Sequence, residues 1–230
     1  MGISDEEVIF FLRLPERGMV KTRIAESLGA DVALELYRAM VSDTLRALSQ
    51  AGKPITIVYD SAGTIDGHPE IAGSGYRTVP QAGGDLGERM ANAFRDSFSR
   101  GCRRAVLVGS DIPELTGAIV TRALESLAEH DMVFGPSRDG GYYLIGFNAD
   151  RFHERLFQGI PWGTPRVRRL TLDATAGLKL TAAVLSELSD VDLAEDLVDI
   201  MERGVLAEGS RMAAFFSRYG EFIKKRAGAG

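Results

Sequence analysis

Short β-branched apolar runs alternate along this chain with longer segments in which apolar residues recur every three or four positions, and that alternation constrains the fold more than any other feature. "RRAVLVGSD" carries the strongest such run, and a strand with no polar residue to face water has to be covered on both faces. The expected class is therefore α/β, with three layers: a mostly parallel sheet between two layers of helices. Strands are predicted at Val8 to Leu14, in "PITIVYD", weakly around Tyr76 to Val79, in "RRAVLVGSD", in "DMVFGPS" and "GYYLIGF" on either side of "RDGG", and last in "KLTAAVLSEL". Helices are predicted from Ala33 to Gln50, along Leu86, Met90, Phe94 and Phe98 up to a stop at Gly101, and after a Thr116 cap. Beyond the loop Ser61 to Gly75 and past residue 150 the pattern loosens into amphipathic pieces at Phe152 to Phe157 and Arg166 to Leu172, a helix Leu193 to Arg203 and a C-terminal helix at about 210–226. No repeat, low-complexity tract or linker divides residues 1–230, which read as one domain ending in a frayed Gly228 to Gly230 tail.

Charge and composition narrow the function classes. With 45% hydrophobic residues the chain can bury a substantial core. A formal charge of -5 argues against a general nucleic-acid or membrane-surface binder, because those partners select a basic face. The one cysteine, Cys102, excludes an internal disulfide and a Cys-rich metal site and fits a reducing, cytoplasmic setting. Acidic residues stand at the start, in "MGISDEEVIFF", where a secretory signal would be positive, and no stretch approaches the roughly 20 apolar residues that span a bilayer. His68, His130 and His153 lack ligand spacing, no Ser/His/Asp or Cys/His set is visible, and no Gly-x-Gly-x-x-Gly follows a strand, which removes the usual hydride-transfer and hydrolase readings.

Six segments can carry chemistry, each with a plainer reading beside it. In "VLVGSDIP", Asp111 follows the central strand at the edge where open α/β sheets bind ligands; it either meets a ligand, as a carboxylate suited to Mg²⁺ or Mn²⁺, or satisfies turn amides before Pro113. In "SDVDLAEDL", Asp190 and Asp192 are two residues apart and share a face if extended, so both can point at one cation; capping of the next helix by Asp192 is the competing role. The opening loop "RLPERGMVKTR" lacks the spacing of a nucleotide-hydrolase P-loop, yet Arg17, Lys21 and Arg23 can bind a diphosphate or form a solvated basic turn. In "QAGGDLGERM", Gly83 and Gly84 allow close backbone approach to an anion, while Asp85 with Glu88 makes an ordinary cap. Asp139 in "PSRDGGYYLIG" is either a general base or part of a hairpin turn, and Trp162 in "GIPWGTP" either stacks on a sugar or packs in the core.

In their order along the chain, "PERGMVKTRIAESLG", "GGDLGERMANAF", "VLVGSDIPEL", "GPSRDGGYYLIGF" and "SDVDLAEDL" resemble a bacterial family described as DUF2064 or glycosyltransferase-like, over most of residues 8 to 200. The chain is also distantly similar to guanylyltransferases acting on phospholactate and to molybdopterin-type nucleotidylyltransferases. The resemblance implies a Rossmann-like sheet of the nucleotide-diphospho-sugar transferase (GT-A) type, whose N-terminal half holds the nucleotide. It implies a metal at Asp111, a second ligand at Asp192 or Asp190, and basic positions at Lys21 and Arg23. The chain departs from the family wording at Arg13 and Glu16, and "DVDLAEDL" lacks the Thr-Pro of "DIDTPEDL" but keeps both acids.

Three activities are expected on these grounds. The first is a metal-dependent glycosyltransferase, with a nucleotide sugar as partner, Mg²⁺ or Mn²⁺ on Asp111 and Asp192, Lys21 and Arg23 neutralising the leaving diphosphate, and Asp139 as base for the hydroxyl of a small-molecule acceptor. The alternative is a nucleotidylyltransferase, in which a phosphate-bearing substrate attacks a nucleoside triphosphate and pyrophosphate leaves. The third is a non-catalytic nucleotide-binding module.

Overall fold

In the computed structural model, which describes residues 4–60, 65–68, 71, 73 and 75–228, seven strands form one sheet: β1 (Glu6–Leu12), β2 (Ile55–Tyr59), β3 (Arg77–Pro80), β4 (Arg104–Val108), β5 (Met132–Pro136), β6 (Tyr142–Asn148) and β7 (Ala182–Val184). Their spatial order is β3-β2-β1-β4-β6-β5-β7. Val8 at the centre of the sheet stands opposite Ile55 on one side and Val106 on the other, both parallel. Only β6 runs against its neighbours β4 and β5, which makes the sheet mostly parallel as expected.

The helices are α1 (Thr22–Leu28), α2 (Ala30–Gln50), α3 (Leu86–Ser99), α4 (Gly117–Ser126), α5 (Val167–Gly177), α6 (Ala194–Arg203) and α7 (Arg211–Ala227). Strand alternation divides the buried side chains between two faces. Val8, Phe10 and Leu12 of β1 pack with Tyr37, Val41 and Leu48 of α2 and with Val120 and Leu124 of α4. Ile9 and Phe11 join the other layer, with Met90 and Phe94 of α3, and there Phe147 meets Phe94 edge-on at 5.0 Å. A third cluster, Ile24, Leu36, Met40, Leu197, Met212 and Phe215, binds α1, α6 and α7 to the outer side of α2.

Several boundaries differ from the sequence expectation for identifiable reasons. The first strand ends at Leu12, because the Tyr37 hydroxyl takes the Arg13 N–H and donates to the Arg13 carbonyl, removing both groups from the sheet ladder. The predicted opening loop contains α1, anchored by Ile24 and Leu28 one turn apart, and Gly29 at φ 90° separates it from an α2 that starts at Ala30 rather than Ala33. Of "KLTAAVLSEL" only Ala182–Val184 forms a strand; Leu188 further on makes an isolated bridge with Ser137. The tail residues 229–230, residues 1–3 and most of the Ser61 to Gly75 loop lie outside the described residues.

Candidate functional site

Neighbouring strands β1 and β4 end at the same edge of the sheet, and the residues just past their carboxyl ends, Arg13 on one and Ser110 on the other, form the floor of a cavity. Tyr37 fastens the two ends together: it accepts the Arg13 N–H at 3.0 Å, donates to the Arg13 carbonyl at 3.1 Å and stands 3.1 Å from Ser110 Oγ. Burial, and secondly the nearby Asp111 charge, pushes the Tyr37 hydroxyl far above its ordinary range, so it remains a proton-bearing strut. Asp111 comes next after Ser110 and is half exposed at the cavity wall.

The other wall comes from the opening loop. Lys21 precedes α1 in a left-handed conformation, φ 47°, between the buried apolar side chains of Val20 and Ile24. Its side chain is only 5% exposed, and its ammonium lies 2.5 Å from Asp111 Oδ1 and 3.7 Å from Asp192 Oδ1 while donating to the Val191 carbonyl at 2.6 Å. Arg23 Nη1 stands 3.9 Å from Asp192 Oδ2. The backbone closes the arrangement, the Val191 N–H donating to the Asp111 carbonyl at 3.1 Å.

Asp192 is not the cap of the following helix. Leu193 holds the N-cap position, Asp196 Oδ2 accepts the N–H groups of both Asp192 and Leu193, and the Asp192 carboxylate faces Lys21. Asp190, in an extended segment outside any strand, is pushed up to about 6, first by burial and then by the charges of Asp139, Asp192 and Asp196.

Lys21, Arg23, Asp111 and Asp192 line a cavity of about 300 Å³ together with Arg13, Tyr37 and Ser110. A second cavity of about 380 Å³ adjoins it at Arg13, Ser110 and Asp111 and extends past Asp60, Gln81, Leu86, Arg89 and Tyr142. Arg13, Tyr37, Ser110, Gln81 and Arg89 are lining residues that motif reading missed. In the sequence Tyr37 is visible only as one apolar position of a helix, and Arg13 only as a departure from a family pattern.

The remaining expected site residues stand apart from these linings. Arg17 pairs with Asp31 of α2 at 2.6 Å, with both side chains well exposed. Gly83, Gly84 and Asp85 form the cap of α3: the Glu88 N–H donates to Asp85 Oδ1 and the Gly84 N–H to Glu88 Oε2, each at 2.8 Å. Gly83 has little room for a side chain, since a Cβ there would come within 2.8 Å of the Arg89 nitrogen. Asp139 organises the turn between β5 and β6, accepting from the Gly141 N–H at 2.8 Å and from the Ser137 hydroxyl. Trp162 packs edge-on to Tyr142 at 6.3 Å and covers Gly87, where a Cβ would meet the indole at 2.8 Å.

The donor set fits Mg²⁺ or Mn²⁺. Asp111 and Asp192 are hard oxygen donors, each about half exposed to one cavity, and among the described residues no three His, Cys, Asp or Glu side chains converge on one point. Asp111 and Asp192 would hold such a cation only together with water or phosphate oxygens, the usual habit of Mg²⁺. No helix among the described residues is long and apolar enough to cross a membrane.

Comparison with known proteins agrees with this fold. A family model described as "Uncharacterized protein conserved in bacteria (DUF2064)" matches residues 40–164, more than half of the chain. A 2-phospho-L-lactate guanylyltransferase from Methanopyrus kandleri is 26% identical over 192 residues, covering 83% of this chain and 89% of the relative. A crystal structure from Desulfovibrio desulfuricans G20, whose name places it with the nucleotide-diphospho-sugar transferases, superposes with a TM-score of 0.91 at 35% identity over 97% of this chain and 98% of the other. A cytidylyltransferase from Leptospira borgpetersenii shares the fold alone, with a TM-score of 0.56 and 13% identity over 95% of this chain and 96% of its own. The relatives by sequence and by close structure are transferases, which makes the chain an enzyme rather than the non-catalytic module of the third expectation. It belongs to the DUF2064 family, on a nucleotide-diphospho-sugar transferase fold.

Proposed function

We propose that the chain transfers a nucleotidyl group from a nucleoside triphosphate to a phosphate-bearing small molecule, with release of pyrophosphate. The observation that carries this reading is the nearly buried Lys21 ammonium, held at the carboxyl edge of β1 and β4 beside Asp111 and Asp192, with a second cavity next to it for the rest of the nucleotide. The 26% identical guanylyltransferase, matched over 83% of this chain, favours the same reaction class.

In this reaction an oxygen of the acceptor phosphate forms a bond to the α-phosphorus as the bond from that phosphorus to the bridging oxygen breaks, and pyrophosphate departs with the electron pair. The acceptor phosphate is already ionised near neutral pH, so no base has to remove a proton. That matters because Asp139, the base of the glycosyl reading, is engaged in its own turn. On this reading Lys21, Arg13 and Arg23, which line one cavity, hold the phosphate oxygens of the triphosphate and of the departing pyrophosphate. One such preorganised charge contributes about 3 kcal/mol to the transition state, or roughly 10² in rate. A divalent cation on Asp111 and Asp192 supplies further neutralisation of phosphate charge when bound.

Glycosyl transfer stands as the second reading, favoured by the name of the 35% identical relative. Incubation with each of four nucleoside triphosphates, Mn²⁺ and a panel of phosphorylated hydroxy acids and sugar phosphates, including 2-phospho-L-lactate, separates the two. Pyrophosphate release is the expected result. Release of a nucleoside diphosphate in parallel incubations with nucleotide sugars, with none of the triphosphates yielding pyrophosphate, would transfer the assignment to glycosyl chemistry.

A further inference from the structure

The position between Asp111 and Asp192 has an occupant that the chain itself supplies. Lys21 Nζ reaches both carboxylates, at 2.5 Å and 3.7 Å, and its third contact is the Val191 carbonyl at 2.6 Å. The side chain is almost wholly enclosed although both acids are half exposed, so the ammonium lies deeper than the groups it neutralises. Its backbone is left-handed, a conformation uncommon for a residue with a side chain.

The two carboxylates are already matched, Asp111 and Asp192 facing Lys21 and Arg23, and Arg13 lines the same cavity. A dication that takes both carboxylates in the free protein has to displace the ammonium or accept its repulsion at close range. Displacement leaves a nearly buried ammonium without an anion. Both obstacles vanish when phosphate groups arrive, because phosphate oxygens give Lys21 a new partner and the metal its remaining ligands.

We infer that Lys21 is a built-in placeholder for the divalent cation, excluding metal from the free protein and yielding the two carboxylates only when a phosphate-bearing nucleotide draws its ammonium away. Metal and nucleotide then bind as one complex, in a single step. The inference rests on a phosphorylated ligand at this site and is indifferent to whether a nucleotidyl or a glycosyl group is transferred.

The test measures Mn²⁺ binding alone, without nucleotide, from the paramagnetic resonance signal of free Mn²⁺. Lys21→Met and Lys21→Gln, which remove the charge and keep most of the stem, are expected to bind Mn²⁺ at least tenfold more tightly than the native chain. Lys21→Arg, which keeps the charge, is expected to stay as weak as the native chain, and Asp111→Asn in the Lys21→Gln background to lose the gain. Lys21→Gln can still donate to the Val191 carbonyl and serves if Lys21→Met fails to fold. Equal Mn²⁺ affinity for the native chain and the neutral variants, including no binding by any of them, overturns the inference. Pyrophosphate assays on the native enzyme read the proposed reaction separately, so either conclusion can fail while the other stands.

Discussion

Asp196 Oδ2 lies 2.8 Å from the backbone nitrogen of Asp192, so one carboxylate holds the start of α6 while the other is left facing the cavity. Asp196→Ala removes the acceptor for two N–H groups and is expected to cost about 1 kcal/mol of stability, as helix-cap losses do. It also frees the segment that carries Asp192, so affinity for a nucleotide with Mn²⁺ is expected to fall. Asp196→Asn retains an acceptor and should recover most of both effects, with urea unfolding and calorimetric titration as the measurements.

Asp111→Asn keeps the shape of the residue and removes the charge nearest Lys21. Metal-dependent nucleotide binding is expected to disappear and turnover to fall by roughly 10² or more, while circular dichroism and cooperative unfolding remain those of the native chain. Unchanged metal-dependent binding in this variant would remove Asp111 from the ligand set.

Asp190 predicts the sign of one pH effect. Burial and neighbouring acids raise its folded pKa to about 6, above the ordinary value of 3.8, so between those values the folded state binds more protons than the unfolded one. The contribution of Asp190 to stability is therefore greatest below its unfolded pKa and is lost as pH rises to about 6. Asp190→Asn should flatten this slope and make the protein more stable than the native chain at a pH of about 7.5. A native urea midpoint that loses nothing to Asp190 between a pH of about 4 and about 7, judged against the variant, contradicts the assignment.

Glu7 occupies the opposite end of β1, roughly 17 Å along the strand from Leu12. Only 4% exposed, it accepts from Thr56 Oγ1 at 2.6 Å, from the Ser97 hydroxyl and from Arg100 Nη2 at 2.7 Å. Glu7→Ala strands two buried hydroxyls and a guanidinium, at an expected cost of roughly 3 kcal/mol. For a chain of this size that lowers Tm by roughly 6–12 °C, and the Michaelis constants of the folded fraction should not change.

The layers of the fold and the place of Asp111 were legible because a fully buried strand needs a continuous apolar run, and such a run marks its own carboxyl end. The hairpin at "RDGG" was equally legible from its turn residues. Lys21 and Asp192 are candidates by residue type and spacing, each with a plainer reading beside it, since nothing local in either segment reports that they meet. Asp192 had the composition of a helix cap, and only the competing acceptor at Asp196 decides otherwise. Arg17 resembles Lys21 in sequence context, but its partner Asp31 lies on the next helix, out of reach of the cavity. With only Ile24 and Leu28 buried on it, α1 is too short for a period to stand out. Tyr37 reads as core because most of a tyrosine side chain is hydrocarbon, and the hydroxyl that joins two strand ends leaves no trace in the spacing.

The bond from the Lys21 ammonium to the Val191 carbonyl joins residues 170 positions apart. During synthesis at about 5–20 residues per second, roughly 8–35 s separate the appearance of the two on the ribosome. Over that interval β1 to β4 can emerge and pair, yet the pocket they border lacks the wall that carries Val191 and Asp192, and Lys21 has Asp111 alone of its three partners. A nascent chain that ends before Val191 can thus possess most of the sheet and still lack the carbonyl and the carboxylate that complete the surroundings of Lys21.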